Sequence, residues 1–241
     1  MISSTPSHAG TMPVEFPPDL TALAILTSGG LDSAVLLAEA MRRDAAVHPI
    51  YVRHGLYWET AELNHLRRFL ELIACPALQP LEVLEMPVGD LYGNHWSITG
   101  QKVPDADSPD EAVFLPGRNL LLLAKVLLWC QLRGVPAVGL ASLRGNPFPD
   151  ATEAFFADYQ EIVNRAVQGK VQIIHPYLRL GKVDVLRRGQ GLPLEWTFSC
   201  LRPVAGQHCG SCNKCAERRR AFAAAGIVDR TPYHREVPCT A

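Results

Sequence analysis

The sequence of 241 residues lacks the features that mark several specialised classes of protein. Its formal net charge is only −1, so no overall basic field indicates nucleic acid or an anionic membrane surface as a partner. The longest apolar stretch, residues 120–129, contains Lys125 and is too short to span a bilayer. Residues 1–20 lack the basic start and apolar core of a signal peptide. We therefore expect a globular protein of the cytoplasm.

The length allows one large domain, or one domain with a small appendage. A hydrophobic content of 48% with 20% charged residues is typical of such a fold. Ser, Pro, Thr and Gly dominate residues 1–18, which we interpret as a flexible leader. We expect a nucleotide-binding α/β domain at residues 19–190 and a small metal-binding subdomain at residues 191–241.

Apolar runs of strand length alternate with stretches of helical spacing along the whole chain. We expect strands near residues 22–26, 47–52, 81–84, 137–140 and 171–174, with helices between them. This alternation predicts an α/β fold with a doubly wound, mostly parallel sheet and helices on both faces. Residues 86–112 show no clear period, and a loop of that length is usually functional or mobile.

The first predicted strand runs into a glycine loop and then a helix, in the sequence ALAILTSGGLDSAVL at residues 22–36. A helix N-terminus with adjacent glycines binds phosphate, because its N–H groups point outward and no Cβ blocks the anion. Ser28 and Ser33 add hydroxyl donors, and Asp32 is placed to hold Mg²⁺ on the phosphates. The loop lacks the Lys of the Walker motif and the spacing of the dinucleotide fingerprint. The simpler alternative is an ordinary turn with a helix cap.

Four of the seven cysteines lie within sixteen residues, at Cys200, Cys209, Cys212 and Cys215. In a reducing compartment such clusters favour a metal over disulfides. Four thiolates suit a closed, structural Zn²⁺ site, and an iron–sulfur cluster is the main alternative. The neighbouring basic run, residues 218–220, is of a kind that usually forms a solvated helix face.

The Ser-Gly-Gly-x-Asp-Ser string at residues 28–33 resembles the signature of the PP-loop ATP pyrophosphatases, which cleave ATP between its α and β phosphates. With the cysteine spacing added, the chain resembles the 7-cyano-7-deazaguanine synthase family of that superfamily. Segments 51–55, 115–119, 176–182, 196–200 and 218–222 are also similar to this family, and they occur in the same order. The resemblance implies an adenine nucleotide alpha-hydrolase-like fold and a zinc site. It also implies an ATP-dependent carbon–nitrogen ligase that adenylates 7-carboxy-7-deazaguanine and uses ammonia to form the nitrile.

Combined with residue chemistry, the resemblance also suggests the site residues. Arg118 offers a planar fork for phosphate or carboxylate, and Lys182 could stabilise charge on the leaving diphosphate. The expected catalytic residues are Asp32, Ser33, Arg118 and Lys182, and the expected substrate-binding residues are Arg118, Asn119 and Asp150. The residues expected to contact ATP are Leu26, Thr27, Ser28, Gly29, Gly30, Leu31, Asp32, Ser33 and His54. Asn119 and Asp150 could instead cap helices, and a lone histidine such as His54 is more often structural.

One segment departs from the family pattern. Where the family carries Asp-x-Ser-Gly-Tyr-Pro-Asp-Cys-Arg, residues 144–152 read RGNPFPDAT. Pro149 and Asp150 are kept and Phe148 keeps the aromatic ring, but Arg144 replaces an acid. Because this segment corresponds to the part of the family site that holds the deazaguanine, a related heterocyclic acid is a second candidate substrate.

Two other functions fit parts of the sequence. A tRNA-thiolating PP-loop enzyme would also use cysteines, but such enzymes usually carry a basic surface or an added RNA domain. A non-catalytic regulatory protein could keep the loop and the cysteine site as a scaffold, although it would not need Asp32. By resemblance we expect a homodimer that takes up free ammonia and binds no nucleic acid or membrane.

Overall fold

Five short parallel strands form the centre of the fold in the computed structural model, which describes residues 16–43 and 45–234. The strands are β1 (Ala22–Leu26), β2 (Ala46–Arg53), β3 (Glu82–Glu85), β4 (Ala137–Gly139) and β5 (Gln172–Ile174). They are ordered β3-β2-β1-β4-β5, and every neighbouring pair is parallel. The predicted doubly wound parallel sheet is thus confirmed.

Eight helices connect and cover the strands in the described part of the chain. They are α1 (Leu31–Ala40), α2 (Glu59–Leu72), α3 (Gly89–Tyr92), α4 (Trp96–Thr99), α5 (Arg118–Arg133), α6 (Glu153–Val167), α7 (Lys182–Arg188) and α8 (Asn213–Ala225). The segment predicted as a loop at residues 86–112 contains the single turns α3 and α4, which are too short to produce a readable period. None of the described helices has the length and hydropathy of a membrane span.

Each face of the sheet buries its own set of side chains. Along β1, Leu23 and Ile25 pack into one cluster with α1, α2, α7 and α8, whereas Ala24 packs into the other with α5 and α6. The alternation follows from the strand period of two, and full burial on both faces explains why β1 is apolar throughout. A third cluster of loop residues surrounds the four cysteines.

The order of the strands places a crevice beside β1. The chain leaves β1 to form β2 and β3 on one side, and it later returns to add β4 on the other side. Loops that follow β1 and β4 therefore run in opposite directions, and ligands of such sheets bind between them. The glycine loop follows β1, and the divergent segment 144–152 comes after β4.

Residues 1–15 of the predicted leader lie outside the described residues. Phe16 is buried against the core, and the guanidinium of Arg43 lies 5.4 Å from its ring centroid. At the other end, α8 buries Ala221 and Phe222 in the same cluster as α1 and α7. The division of the chain at residues 18 and 190 stays a prediction.

Candidate active site

The loop between β1 and α1 has a backbone that suits an anion. Gly29 has φ +70°, and a Cβ at this position would lie 3.3 Å from the carbonyl oxygen of Glu62. Glycine is therefore required both by conformation and by the close packing of α2. The Ser33 hydroxyl donates to the Gly30 carbonyl at 3.2 Å and accepts from the Ser28 N–H at 3.3 Å. No side chain caps the first turn of α1 within the described residues, so this helix end is suited to a phosphate.

A lysine from α7 meets the aspartate of this loop. Nζ of Lys182 lies 2.7 Å from Oδ2 of Asp32, while Oδ1 of Asp32 is buried and has no hydrogen-bond partner in the described structure. Burial lowers the pKa of Lys182, but the carboxylates of Asp32 and Glu217 outweigh burial and raise it overall. The ammonium group therefore stays charged.

Two residues of α8, Lys214 and Glu217, extend the charged pair of Lys182 and Asp32. The sequence analysis did not identify either of them. Glu217 Oε1 lies 3.6 Å from Lys182 Nζ, and Oε2 accepts from Lys214 Nζ at 2.5 Å. Lys214 stands between Cys212 and Cys215 in the sequence, so the cysteine segment brings both charges to the loop. The cysteine spacing gave no indication of this contact.

These groups line one cavity of about 480 Å³, which is large enough for a nucleotide or a comparable small molecule. Eleven of the predicted site residues line it: Leu26, Thr27, Ser28, Gly30, Leu31, Asp32, Ser33, Arg118, Asn119, Asp150 and Lys182. Gly29 shapes the loop from behind, and His54 does not reach the lining.

Hydrogen bonds link Asp150 and Asn119. Oδ2 of Asp150 accepts from the Asn119 backbone N–H at 2.9 Å, and the Asn119 side-chain amide donates to the Asp150 carbonyl at 3.1 Å. Asp150 thus satisfies a backbone donor in the first turn of α5. The adjacent helix α6 is capped by Thr152, whose hydroxyl accepts from the Phe155 N–H at 3.2 Å. Both Asp150 and Asn119 line the cavity, and their role in binding substrate stays a prediction.

A second charged group lies in the cavity wall near Arg118. Glu62 on α2 is buried, and its carboxylate accepts from the Tyr51 hydroxyl at 2.5 Å. Burial raises the pKa of Glu62 to about 7, although Arg118 and the hydrogen bonds from Tyr51 and Trp58 act in the opposite direction. No sequence pattern indicated Glu62, because it lies between apolar helix positions with no motif around it.

His54 is buried directly after β2. Neither ring nitrogen has a hydrogen-bond partner among the described residues, and its backbone N–H donates to Glu59 Oε2 at 2.6 Å. Burial lowers the pKa of His54 to about 4, with the positive charge of Arg118 adding to the effect. The imidazole is therefore neutral at physiological pH.

The four predicted metal ligands converge. The sulfurs of Cys200, Cys209, Cys212 and Cys215 all lie within 4.8 Å of one another, and the residues are buried. Two sulfur pairs are 4.0 Å apart, close to the edge of about 3.8 Å that a tetrahedral Zn²⁺ ion with bonds of about 2.3 Å requires. Backbone N–H groups of Leu201, Cys209 and Ser211 point at these sulfurs. The set therefore fits a single tetrahedral metal ion.

The basic run beside the cysteines is only partly a solvated face, contrary to expectation. Arg218 is 1% exposed, and its guanidinium donates to the Thr231 and Thr197 hydroxyls and to the Leu194 carbonyl at 2.7–2.9 Å. These partners come from loops on both sides of α8, so no local pattern could reveal them. Arg218 ties the metal segment to the loop at residues 194–199.

Comparison with known proteins agrees with this geometry. Residues 21–226 match the family described as queuosine biosynthesis protein QueC. The 7-cyano-7-deazaguanine synthase of Azoarcus sp. (strain BH72) is 32% identical over 227 residues, covering 89% of this chain and 98% of that protein. The enzyme of the same name from Syntrophobacter fumaroxidans is also 32% identical, covering 88% of this chain and 96% of its own.

The chain belongs to the QueC family. The resemblance predicted from the sequence is thereby confirmed. Within this QueC family member, the divergent segment 144–152 reaches the cavity, and Arg144, Asn146, Phe148 and Asp150 all line it. Arg144 is anchored by its backbone, whose N–H donates to the Leu180 carbonyl at 2.9 Å just before α7. The Phe148 ring stacks on Phe114 with centroids 5.0 Å apart.

Proposed function

We propose that the protein adenylates the carboxylate of 7-carboxy-7-deazaguanine, or of a related heterocyclic acid, and then uses ammonia to form the 7-cyano product. The observation that carries this proposal is a single cavity that joins the phosphate loop to Arg118 and to aromatic side chains. One end suits a triphosphate and the other suits a flat acid. Adenylation needs both in the same space, because the acid oxygen must attack the α phosphate of ATP.

Each charged group then has a role. Backbone N–H groups of the loop and the hydroxyls of Ser28 and Ser33 bind ATP phosphates, and Arg118 orients the acid through its planar fork. Lys182 stabilises negative charge on the departing diphosphate. The unpartnered Oδ1 of Asp32 is the oxygen that would hold Mg²⁺, which neutralises phosphate charge when bound.

We assign Zn²⁺ to the cysteine site. Its short sulfur separations support one ion, whereas an iron–sulfur cluster distributes its four cysteines over two or four irons and needs wider spacing between some of the sulfurs. Because all four ligands are protein thiolates, the role is structural: the site fixes the start of α8 and with it Lys214 and Glu217.

Further parts of the proposal concern partners and location. Free ammonia is the nitrogen donor.

A homodimer is supported by exposed apolar side chains on α5 and α6, where Leu128, Leu132 and Ile162 are 42%, 83% and 54% exposed. A cytoplasmic location suits a cluster of four reduced thiols. Light scattering on the purified protein would test the dimer, and a Leu132→Glu variant should shift it toward monomer.

The decisive experiment measures diphosphate and AMP release from ATP, with 7-carboxy-7-deazaguanine and ammonium present or omitted. We expect release that depends on the acid, and a nitrile product by mass spectrometry. An Asp32→Ala variant should lose this activity, while Asp158→Ala, an exposed site on α6, should keep it. Acid-independent release, or release of ADP instead of AMP, would contradict the proposal.

A further inference from the structure

The carboxylate of Glu62 is held in the cavity wall by neutral donors. Its Oε2 accepts from the Tyr51 hydroxyl at 2.5 Å, and the Trp58 indole also hydrogen-bonds to the carboxylate. Among the residues that the structure describes, no ion pair neutralises this carboxylate, and each of its oxygens can accept more than one hydrogen bond. A buried carboxylate that faces a cavity is suited to bind a small cation there.

Glu62 also lies close to the phosphate loop. Its Cγ is 3.4 Å from the position that a Cβ on Gly29 would occupy, so α2 packs directly behind the loop. The rings of Trp58 and Trp96, which stack with centroids 5.8 Å apart, form the neighbouring cavity wall. Indole faces attract cations, so this end of the cavity combines two features that favour a small cation.

The charged and titratable groups that face Glu62 come from three elements. Tyr51 lies on β2, Glu59 lies one turn earlier on α2, and Arg118 opens α5. Burial is the dominant influence and raises the pKa of Glu62 to about 7, with Glu59 adding to the rise and Arg118 opposing it. Glu62 can therefore exchange a proton near neutral pH.

The proposed reaction needs such a group. Free ammonia is mostly ammonium at neutral pH, and ammonium has no lone pair with which to attack a carbonyl. A base must take one proton inside the cavity, close to the acyl-adenylate.

We propose, resting on the proposed function, that Glu62 binds ammonium and acts as the general base that releases ammonia, with Tyr51 as its positioning residue. The Glu62 carboxylate takes one proton from ammonium and becomes a carboxylic acid. Ammonia then attacks the acyl carbon, a C–N bond forms, and the C–O bond to AMP breaks with its electron pair leaving on AMP. The attacking nitrogen loses a proton to solvent, which gives the amide, and Glu62 later returns its proton to solvent.

The test compares ammonium with hydroxylamine, a weaker base that is largely unprotonated at neutral pH. For Glu62→Gln, kcat/KM for ammonium should fall by about 100-fold when it is normalised to the acid-dependent ATP–diphosphate exchange rate of the same variant. With hydroxylamine the same variant should work nearly as well as the wild type, because no proton has to be removed first. An equal loss with both nucleophiles, or no loss with ammonium, would overturn the inference.

Glu71→Gln is the control on the same helix, since Glu71 is exposed, pairs with Arg68 and does not line the cavity. It should not change the ratio of ammonium to hydroxylamine use. If the wild type shows no acid-dependent exchange at all, the proposed function itself fails, which is a different result from a wild-type-like Glu62→Gln.

Tyr51→Phe provides a second test that retains the carboxylate. The Tyr51 hydrogen bond lowers the pKa of Glu62, so its removal should raise that pKa. The acidic limb of the pH profile of kcat/KM for ammonium should then move to higher pH. A profile that keeps its position, with activity lowered uniformly, would show a purely structural role and overturn the assignment.

Discussion

Lys182 Nζ lies between two carboxylates, 2.7 Å from Asp32 Oδ2 and 3.6 Å from Glu217 Oε1. One partner belongs to the phosphate loop and the other to the helix that the cysteine cluster begins. The lysine is therefore held by two separate parts of the chain. Its ammonium group is fixed beside the position proposed for the diphosphate before any nucleotide binds.

Replacing this lysine tests the catalytic role. Lys182→Met keeps the length of the side chain and removes the charge, so kcat for diphosphate release should fall by about 100-fold or more. Lys170→Met, at an exposed position before β5, should be close to wild type. A Lys182→Met enzyme with normal kcat, measured by a coupled diphosphate assay, would contradict the assignment.

Glu217 should act through Lys182 and not by itself. Glu217→Gln should lower the rate of diphosphate release by about 10-fold, because Lys182 loses one of the two groups that orient it. In the Lys182→Met background the same change should have little further effect, which a double-mutant cycle would reveal. Glu161→Gln on α6 is the exposed control. Fully additive effects would show that Glu217 has a separate role.

The cysteine site should hold one Zn²⁺ per chain and contribute several kcal/mol to the free energy of unfolding. Cys212→Ser should lower both the metal content and the melting temperature, since Cys212 immediately precedes α8. Cys75→Ser, at an exposed cysteine outside the cluster, should change neither. Elemental analysis and thermal unfolding provide the measurements, and iron with visible absorption would argue for the cluster alternative.

His54 should make the fold sensitive to acid. Its pKa is about 4 in the folded protein and near 6.5 when unfolded, so between these values the unfolded chain binds a proton that the folded chain does not. The folded protein, with its buried and neutral His54, therefore loses stability as the pH falls from about 6.5 to 4. The loss of unfolding free energy relative to neutral pH is on the order of 3 kcal/mol.

The corresponding experiment uses His54→Leu and the exposed-site control His234→Leu. Denaturant unfolding at several pH values should show the wild type losing stability relative to His54→Leu as the pH falls through this range. A constant difference between the two proteins would mean that His54 is not the group responsible. His234→Leu should follow the wild type.

Local sequence was enough for some parts of the site. The strand, glycine loop and helix at residues 22–36 lie together in the chain, so spacing alone predicted their arrangement. The four cysteines were also recognisable from spacing, and their sulfurs converge as predicted. The contact between Lys182 and Asp32 joins residues far apart in the sequence, and only the family resemblance pointed to Lys182.

Other parts depend on tertiary packing that no local pattern records. Glu62 looks like any polar helix position until α2 packs behind the loop. Arg218 looks like a surface arginine until loops from both sides cover it. His54 follows a strand that leads toward the cavity, but its side chain is buried and does not line the cavity. In each case the deciding partner lies on another element.

The order of these elements along the chain also determines when a working site can arise during synthesis. Ala24 of β1 pairs with Val138 of β4, and Lys182 and Lys214 come later still. Contacts between such distant residues form only after the intervening chain has been made, and they slow folding. A ribosome-bound chain that ends before α8 has its phosphate loop and Lys182, but it lacks Lys214 and Glu217. The charged cluster beside the phosphate loop is therefore complete only when the last described helix has docked.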